Sequence, residues 1–321
     1  MKERRDIAIR KVCYNGWYHH RDGLGPAPKA FVCSRERAPL RMPHQRHSTQ
    51  VYVERPVVLL FAVLGLAIGS LVNLCADSLP ANRRLSRPFC PYCGRPRPAS
   101  AYSSLVAYLV GRQRCPGCAA PISVRHVLVE LASAALFVFT WLRSGTTWTT
   151  LFSLLYSAIL ILIVVTDLEH RLILHVVTLP AILLALSGAF LNPAFATPKR
   201  ALLGGVVGLV GTLGIYLMGI AFAWFMGRMR GQPISEVAFG FGDVTLNTFI
   251  GLVVGAPEIV FSMVIGFLLG GIAAILVLVV QGLLLRRYKL FTAIPYGPFL
   301  ILGGMAMLYF GPQVVDWYLH R

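Results

Sequence analysis

The sequence predicts an all-α, polytopic membrane protein with about eight transmembrane helices and a small cytoplasmic loop built around four cysteines, on three observations. Hydrophobic residues fill 56% of the 321 positions and charged ones only 13%, whereas ordinary soluble domains are about 45–50% apolar even with glycine counted. Mean hydropathy is +0.67, and the apolar residues collect into stretches near the ~20 residues that a helix needs to cross ~30 Å of hydrocarbon. The net charge of +17 is unevenly placed: residues 1–55 carry 12 basic and 5 acidic side chains, residues 80–126 hold eight arginines and no acid, and the rest is nearly balanced. So apolar a chain is not a disordered basic tail, and its seven cysteines are too dilute for a disulfide scaffold. The basic clusters flank apolar spans without interleaved aromatics, so they set membrane orientation, and no nucleic-acid partner is expected.

Taken in order, the apolar stretches are 56–75, 127–142, 151–166, 172–191, 201–226, 244–256, 259–285 and 293–310, the second and sixth being short. The fifth is rich in glycine, as close helix packing in lipid favours. Placing the loop 80–126 in the cytoplasm puts Glu169, Arg171, Arg228, Arg230, Arg286, Arg287 and Lys289 on that side, and Arg143, Lys199, Arg200 and Arg321 on the other, the bias that cytoplasmic loops require. The expected organisation is a basic extension over 1–55, a first transmembrane helix over 56–79, the cysteine loop over 80–126, a membrane core over 127–312 and a tail over 313–321. The extension conflicts with the topology, because its basic residues fall outside. It has no apolar core for a signal sequence, and it is expected to be disordered or to precede the native start, with translation beginning at Met42.

Within the loop, Cys90-Pro-Tyr-Cys93 and Cys115-Pro-Gly-Cys118 form two Cys-x-x-Cys pairs separated by 21 residues. Each short turn presents two thiolates to one ion, and four thiolates suit a closed, structural tetrahedral Zn²⁺ site. Buried thiol pairs or redox dithiols are the alternatives. Cys75, inside the first span, reads as a small packing residue. Asp77, Glu169, Glu258 and Asp316 read as interfacial groups or partners of nearby arginines.

Two further acids sit at membrane edges, where acids are rare. Asp167 closes the third span and Asp243 opens the sixth, and the topology puts both on the cytoplasmic face although 76 positions separate them. Gly240 and Gly242 allow backbone to approach a partner closely. Two carboxyls in one site share a proton, so one activates water while the other donates to a scissile carbonyl. The same pair also suits a proton or cation pathway in a transporter. His170 and His175 are weaker metal candidates, lacking a third ligand at suitable spacing.

The chain resembles the type IV prepilin peptidases. The resemblance rests on Gly69-Ser70-Leu-Val-Asn73 through Pro80, the two cysteine pairs, Leu128-Val129-Glu130-Leu131, Thr166-Asp167-Leu168-Glu169-His170-Arg171, Gly240-Phe-Gly242-Asp243-Val244 and Ile294-Pro295-Tyr296-Gly297-Pro298-Phe299, in family order over about residues 57–310. It implies an intramembrane aspartic endopeptidase of the cytoplasmic membrane, with Asp167 and Asp243 removing the basic leader of type IV prepilins and pseudopilins. It also implies methylation of the new N-terminus from S-adenosylmethionine, and a role for Glu130 beyond cleavage. Two departures, Thr245 where the family often has Lys and Leu174 where it has Pro, put the local helix-start geometry in question.

Overall fold

The computed structural model describes residues 9–14, 32–37, 47–81, 89–90, 92–97, 102–192, 196–230, 239–283 and 295–320. Expectations for Met42, Arg83, Arg84, Arg87, Glu236, Arg286, Arg287, Lys289, Ile294 and Arg321 lie outside those residues. Residues Met1–Arg55 form one unit and Pro56–Arg321 another. In the first, β1 (Ile9–Tyr14) pairs antiparallel with β2 (Val32–Arg37), Ile9 opposite Arg37 and Tyr14 opposite Val32. This is a regular element in an extension expected to be disordered.

Every apolar stretch holds one helix: α1 (His47–Ser78), α3 (Val124–Ser144), α4 (Trp148–His170), α5 (His175–Leu191), α6 (Pro198–Arg230), α7 (Phe241–Val254), α8 (Glu258–Leu283) and α9 (Gly297–Leu319), with a short α2 (Ser104–Leu109) in the cysteine loop. Among the described residues, six helices are long and apolar enough to cross a membrane, and α5 and α7 are shorter. The 14 residues of α7 reach only about 21 Å at 1.5 Å per residue. The fourth stretch becomes helical only at His175, because α4 runs on to His170 and Arg171 then takes the left-handed conformation (φ 53°, ψ 38°), its amide donating to the Asp167 carbonyl at 2.9 Å.

Short α7 is the innermost helix. Val244, Leu246, Phe249 and Ile250 are all buried, the behaviour of a helix that is apolar on every side, and α5, α6, α8 and α9 pack around it. The glycines of α6 permit the closest of these approaches: a side chain on Gly204 would collide with the Gly251 carbonyl, and one on Gly208 with the Asn247 carbonyl. Large apolar side chains such as Leu60, Trp224, Leu268 and Leu276 point outward, as suits a lipid-facing surface. Polar groups inside the bundle are used as ties. The Tyr309 hydroxyl bonds Thr140 Oγ1 at 2.7 Å and Ser157 Oγ at 2.8 Å, joining α3, α4 and α9. At the starts of α6 and α8, Arg200 meets Glu258 at 2.6 Å and donates to the Ala256 carbonyl at 2.8 Å, so Glu258 is arginine-paired, as its sequence context suggested.

Because α6 and α7 touch backbone to backbone at Gly204, Gly204→Leu is expected to cost roughly 3 kcal/mol and to lower the yield of folded protein in membranes. Gly214→Ala, with open space around its Cβ position, should leave the yield unchanged. Equal behaviour of the two variants in detergent thermal-stability measurements would contradict this packing.

Candidate active site

Asp167 lies in the last turn of α4, 5% exposed, and Asp243 in the first turn of α7, 8% exposed. The fold brings their surroundings together around Ile173. A Cβ on Gly242 would lie 2.7 Å from Ile173 Cβ, and one on Gly297 would lie 3.4 Å from Ile173 Cδ1 and would collide with Asp167 Oδ2. The charge of Asp167 is felt at Asp243. Each carboxyl also meets the amide end of a helix. Asp243 Oδ2 accepts from the Gly240 amide at 2.9 Å while the Asp243 amide donates to the Gly240 carbonyl at 3.1 Å, a capping box reduced to its backbone half because Gly240 has no side chain. The Gly297 amide, at the start of α9, faces the Asp167 carboxyl, and Oδ2 of that carboxyl is buried without a hydrogen-bond partner.

Aromatic side chains wall the place. Phe239, two residues before the α7 start, packs edge-on against Tyr296 at 5.9 Å, and Tyr296 in turn packs on Phe299 at 6.3 Å. The arrangement holds two buried carboxyls, a reserve of backbone donors and no basic side chain in contact with either acid among the described residues. It can do acid and base chemistry on a neutral group such as a peptide bond.

Both family departures are accommodated. Leu174 is the N-cap of α5 with φ −76°, inside the range that a proline would impose, so the backbone already takes the proline-like path. The Thr245 hydroxyl donates to the Gly242 carbonyl at 2.9 Å and closes the first turn of α7. Gly297 was quoted in the sequence only as part of a motif. The available signal was a glycine before a proline at a helix start, where a bare amide can face a ligand.

The cysteine loop folds as two copies of one turn. Gly94 donates to the Cys90 carbonyl and Ala119 to the Cys115 carbonyl, each at 2.9 Å, and the turns are closed by the bridges Phe89 to Pro96 and Arg114 to Pro121. All four sulfurs lie within 4.8 Å of one another, with Cys90 and Cys118 at 3.5 Å and Cys93 and Cys115 at 3.7 Å. Four thiolates about 2.3 Å from one tetrahedral ion would stand about 3.8 Å apart, so the donor set fits a metal. Disulfides, with sulfurs about 2.05 Å apart, do not fit these separations. Burial opposes ionisation of Cys90, but amides of Cys93 and Tyr92 and the Cys118 thiol bring it down to about 6. Although the Ala120 amide favours the Cys118 thiolate, burial and the other three thiols push it up. A cation stabilises all four together.

Among the described residues this is the one group of His, Cys, Asp or Glu able to hold a metal. His175 instead stacks on Phe241 at 5.8 Å, and His170 lies 3.9 Å from Glu169. Glu130 is fully buried and accepts from the Ser104 amide (2.7 Å), the Ser103 hydroxyl (2.8 Å) and the Leu105 amide (3.0 Å). It therefore holds the start of α2 against α3.

Comparison with known proteins places these features. Residues 63–144 match the bacterial peptidase A24 N-terminal domain and residues 154–275 the type IV leader peptidase family. The chain is 31% identical to a prepilin leader peptidase/N-methyltransferase of Aeromonas hydrophila, over 76% of this chain and 78% of that one. It is 27% identical to the enzyme of that name from Legionella pneumophila, over 81% and 94%, and 28% identical to that from Pseudomonas aeruginosa, over 82% and 93%. No solved structure matches the chain. Nothing in these matches supports a transporter.

Ala119 has φ 58° where the first copy of the turn has Gly94 at φ 69°, and a non-glycine residue there costs roughly 1 kcal/mol. Ala119→Gly should therefore hold a metal added to the loop more tightly, seen as slower release to a chelator; faster release would contradict the strain. Glu130→Ala strands three donors and should cost about 3 kcal/mol, read as faster proteolysis of the loop 98–113 in inserted protein, with an unchanged rate counting against the anchoring role.

Proposed function

The chain belongs to the type IV leader peptidase family, and from that premise we propose that Asp167 and Asp243 are its catalytic pair, removing the leader of type IV prepilins and pseudopilins at the cytoplasmic face of the cell membrane. The observation that carries this reading is the convergence of two buried carboxyls, from the end of α4 and the start of α7, on one face of the bundle. Orientation is inferred from charge: the basic cysteine loop adjoins that face, and free thiols suit a reducing compartment.

In the reaction, one carboxylate takes a proton from water as its oxygen attacks the scissile carbonyl carbon, and the other carboxyl, protonated, donates to the carbonyl oxygen. Collapse of the tetrahedral intermediate breaks the C–N bond, and a proton passes to the leaving amine. The Gly240 amide holds the Asp243 carboxyl, and the Gly297 amide faces that of Asp167, while the shared proton changes sides. A prepilin helix lying in the bilayer with its leader in water presents its cleavage point at this depth.

The relatives' second activity extends the reading to methylation of the amine released by cleavage, with S-adenosylmethionine as methyl donor. For the loop we propose zinc, held by Cys90, Cys93, Cys115 and Cys118. Four thiolates leave it no open position, so its contribution is to the fold of the loop.

Co-expression with a prepilin tests the centre. Asp167→Asn and Asp243→Asn should each slow leader removal by more than about 10³-fold while the protein remains inserted. Cleavage by either variant at the wild-type rate would refute the assignment. A methyl-sized mass increase on the new N-terminus, lost without the donor, reports the second activity.

A further inference from the structure

Three charged residues stand at helix ends where the helix dipole opposes them. Asp77 is in the last turn of α1 and Glu169 in the last turn of α4, at the negative poles, and Arg125 is in the first turn of α3, at the positive pole. None of the three helps its own helix, so their placement calls for another cause. Arg125, with its side chain 18% exposed, reaches Asp77 Oδ1 with Nη2 at 2.5 Å and Glu169 Oε2 with Nη1. His126 adds a contact to Asp77 Oδ2 at 3.0 Å, and Asn73 donates to the His126 carbonyl at 2.9 Å. One planar guanidinium thus joins three helices, a task for which its fixed fork is suited and an ammonium is not.

Both ends of this clamp lead to something. On one side, Arg125 follows the cysteine loop directly: its amide donates to the Ser123 hydroxyl at 3.3 Å, and Ile122 just before is held by the Tyr108 hydroxyl at 2.9 Å and by the Gln113 carbonyl at 2.8 Å. On the other side, Glu169 is two residues from Asp167, in a turn that ends on Arg171 in a left-handed conformation costing a non-glycine residue roughly 1 kcal/mol. That turn is not locked by its own sequence.

We propose that Arg125 is a positioning residue that transmits the folded state of the metal-binding loop to the Asp167 end of α4 through Glu169. The inference rests on Asp167 being catalytic only for its effect on rate; the mechanical link stands apart from that reading.

Purified full-length protein with a prepilin-derived substrate provides the test. Glu169→Gln and Arg125→Gln should each lower kcat about 10-fold with KM unchanged, and the double variant should be no slower than either. Glu169→Gln leaves the Arg125–Asp77 pair intact, so it remains informative where Arg125→Gln inserts poorly. In parallel, hydrogen exchange of the 167–171 amides should quicken in Arg125→Gln and in chelator-treated wild type, and chelation should add nothing to Arg125→Gln. Wild-type kcat in both single variants, additive losses, or equal quickening by chelator with and without Arg125 would overturn the link. The exchange result judges it even if Asp167→Asn proves active, an outcome that would overturn the catalytic assignment alone.

Discussion

Two carboxyl groups held close together in a poorly solvated place repel each other and lack the water that would stabilise their charge. The structure answers this with backbone. Asp243 takes the Gly240 amide at the positive end of α7, and Asp167, at the unfavourable end of its own helix, faces the Gly297 amide at the positive end of α9. Much of the remaining architecture follows from bringing those two helix starts to one level. The short α7 sits in the middle of the bundle, so α6 approaches it over glycines, and the chain reverses at Arg171 and brings Ile173 against Gly242 and Gly297 before α5 begins.

The cysteine loop obeys a different rule, that of a small unit with almost no apolar core. Its order comes from a duplicated turn about four sulfurs, from the Glu130 carboxylate accepting three bonds at the start of α2, and from the Tyr108 hydroxyl on Ile122. Such a unit is only as firm as its ties, which makes the way it is fastened to the membrane helices matter as much as its internal geometry. The ion pairs of Arg125 do that fastening at the face where both aspartates lie.

The eight apolar stretches were legible because lipid demands continuous hydrophobicity, and the two aspartates because a carboxylate at a membrane edge needs a reason. The cysteine spacing was equally plain, and its metal-fitting geometry follows from ligand arithmetic. Less legible was anything made of main chain. The Gly297 amide leaves no chemical mark in the sequence beyond a glycine before a proline, and the start of α5 shifted by three residues because the turn at Arg171 depends on tertiary packing. Glu130 stood out only through the family motif it belongs to, and its partners, two amides and a hydroxyl more than twenty positions away, are marked by no periodicity. Leu174 looked like a disruption because proline was the expected residue there, whereas the backbone angle that a proline would enforce is present without it.

The amides of Gly240 and Gly297 belong to the main chain, so no exchange of side chain deletes them. On the proposed reading, a systematic replacement by alanine would register the two carboxyls directly and would score the groups beside them only as glycines intolerant of bulk. The electrostatic half of this centre is therefore hidden from ordinary genetics, and becomes visible only to changes that alter the peptide bond itself, such as an ester in place of the amide.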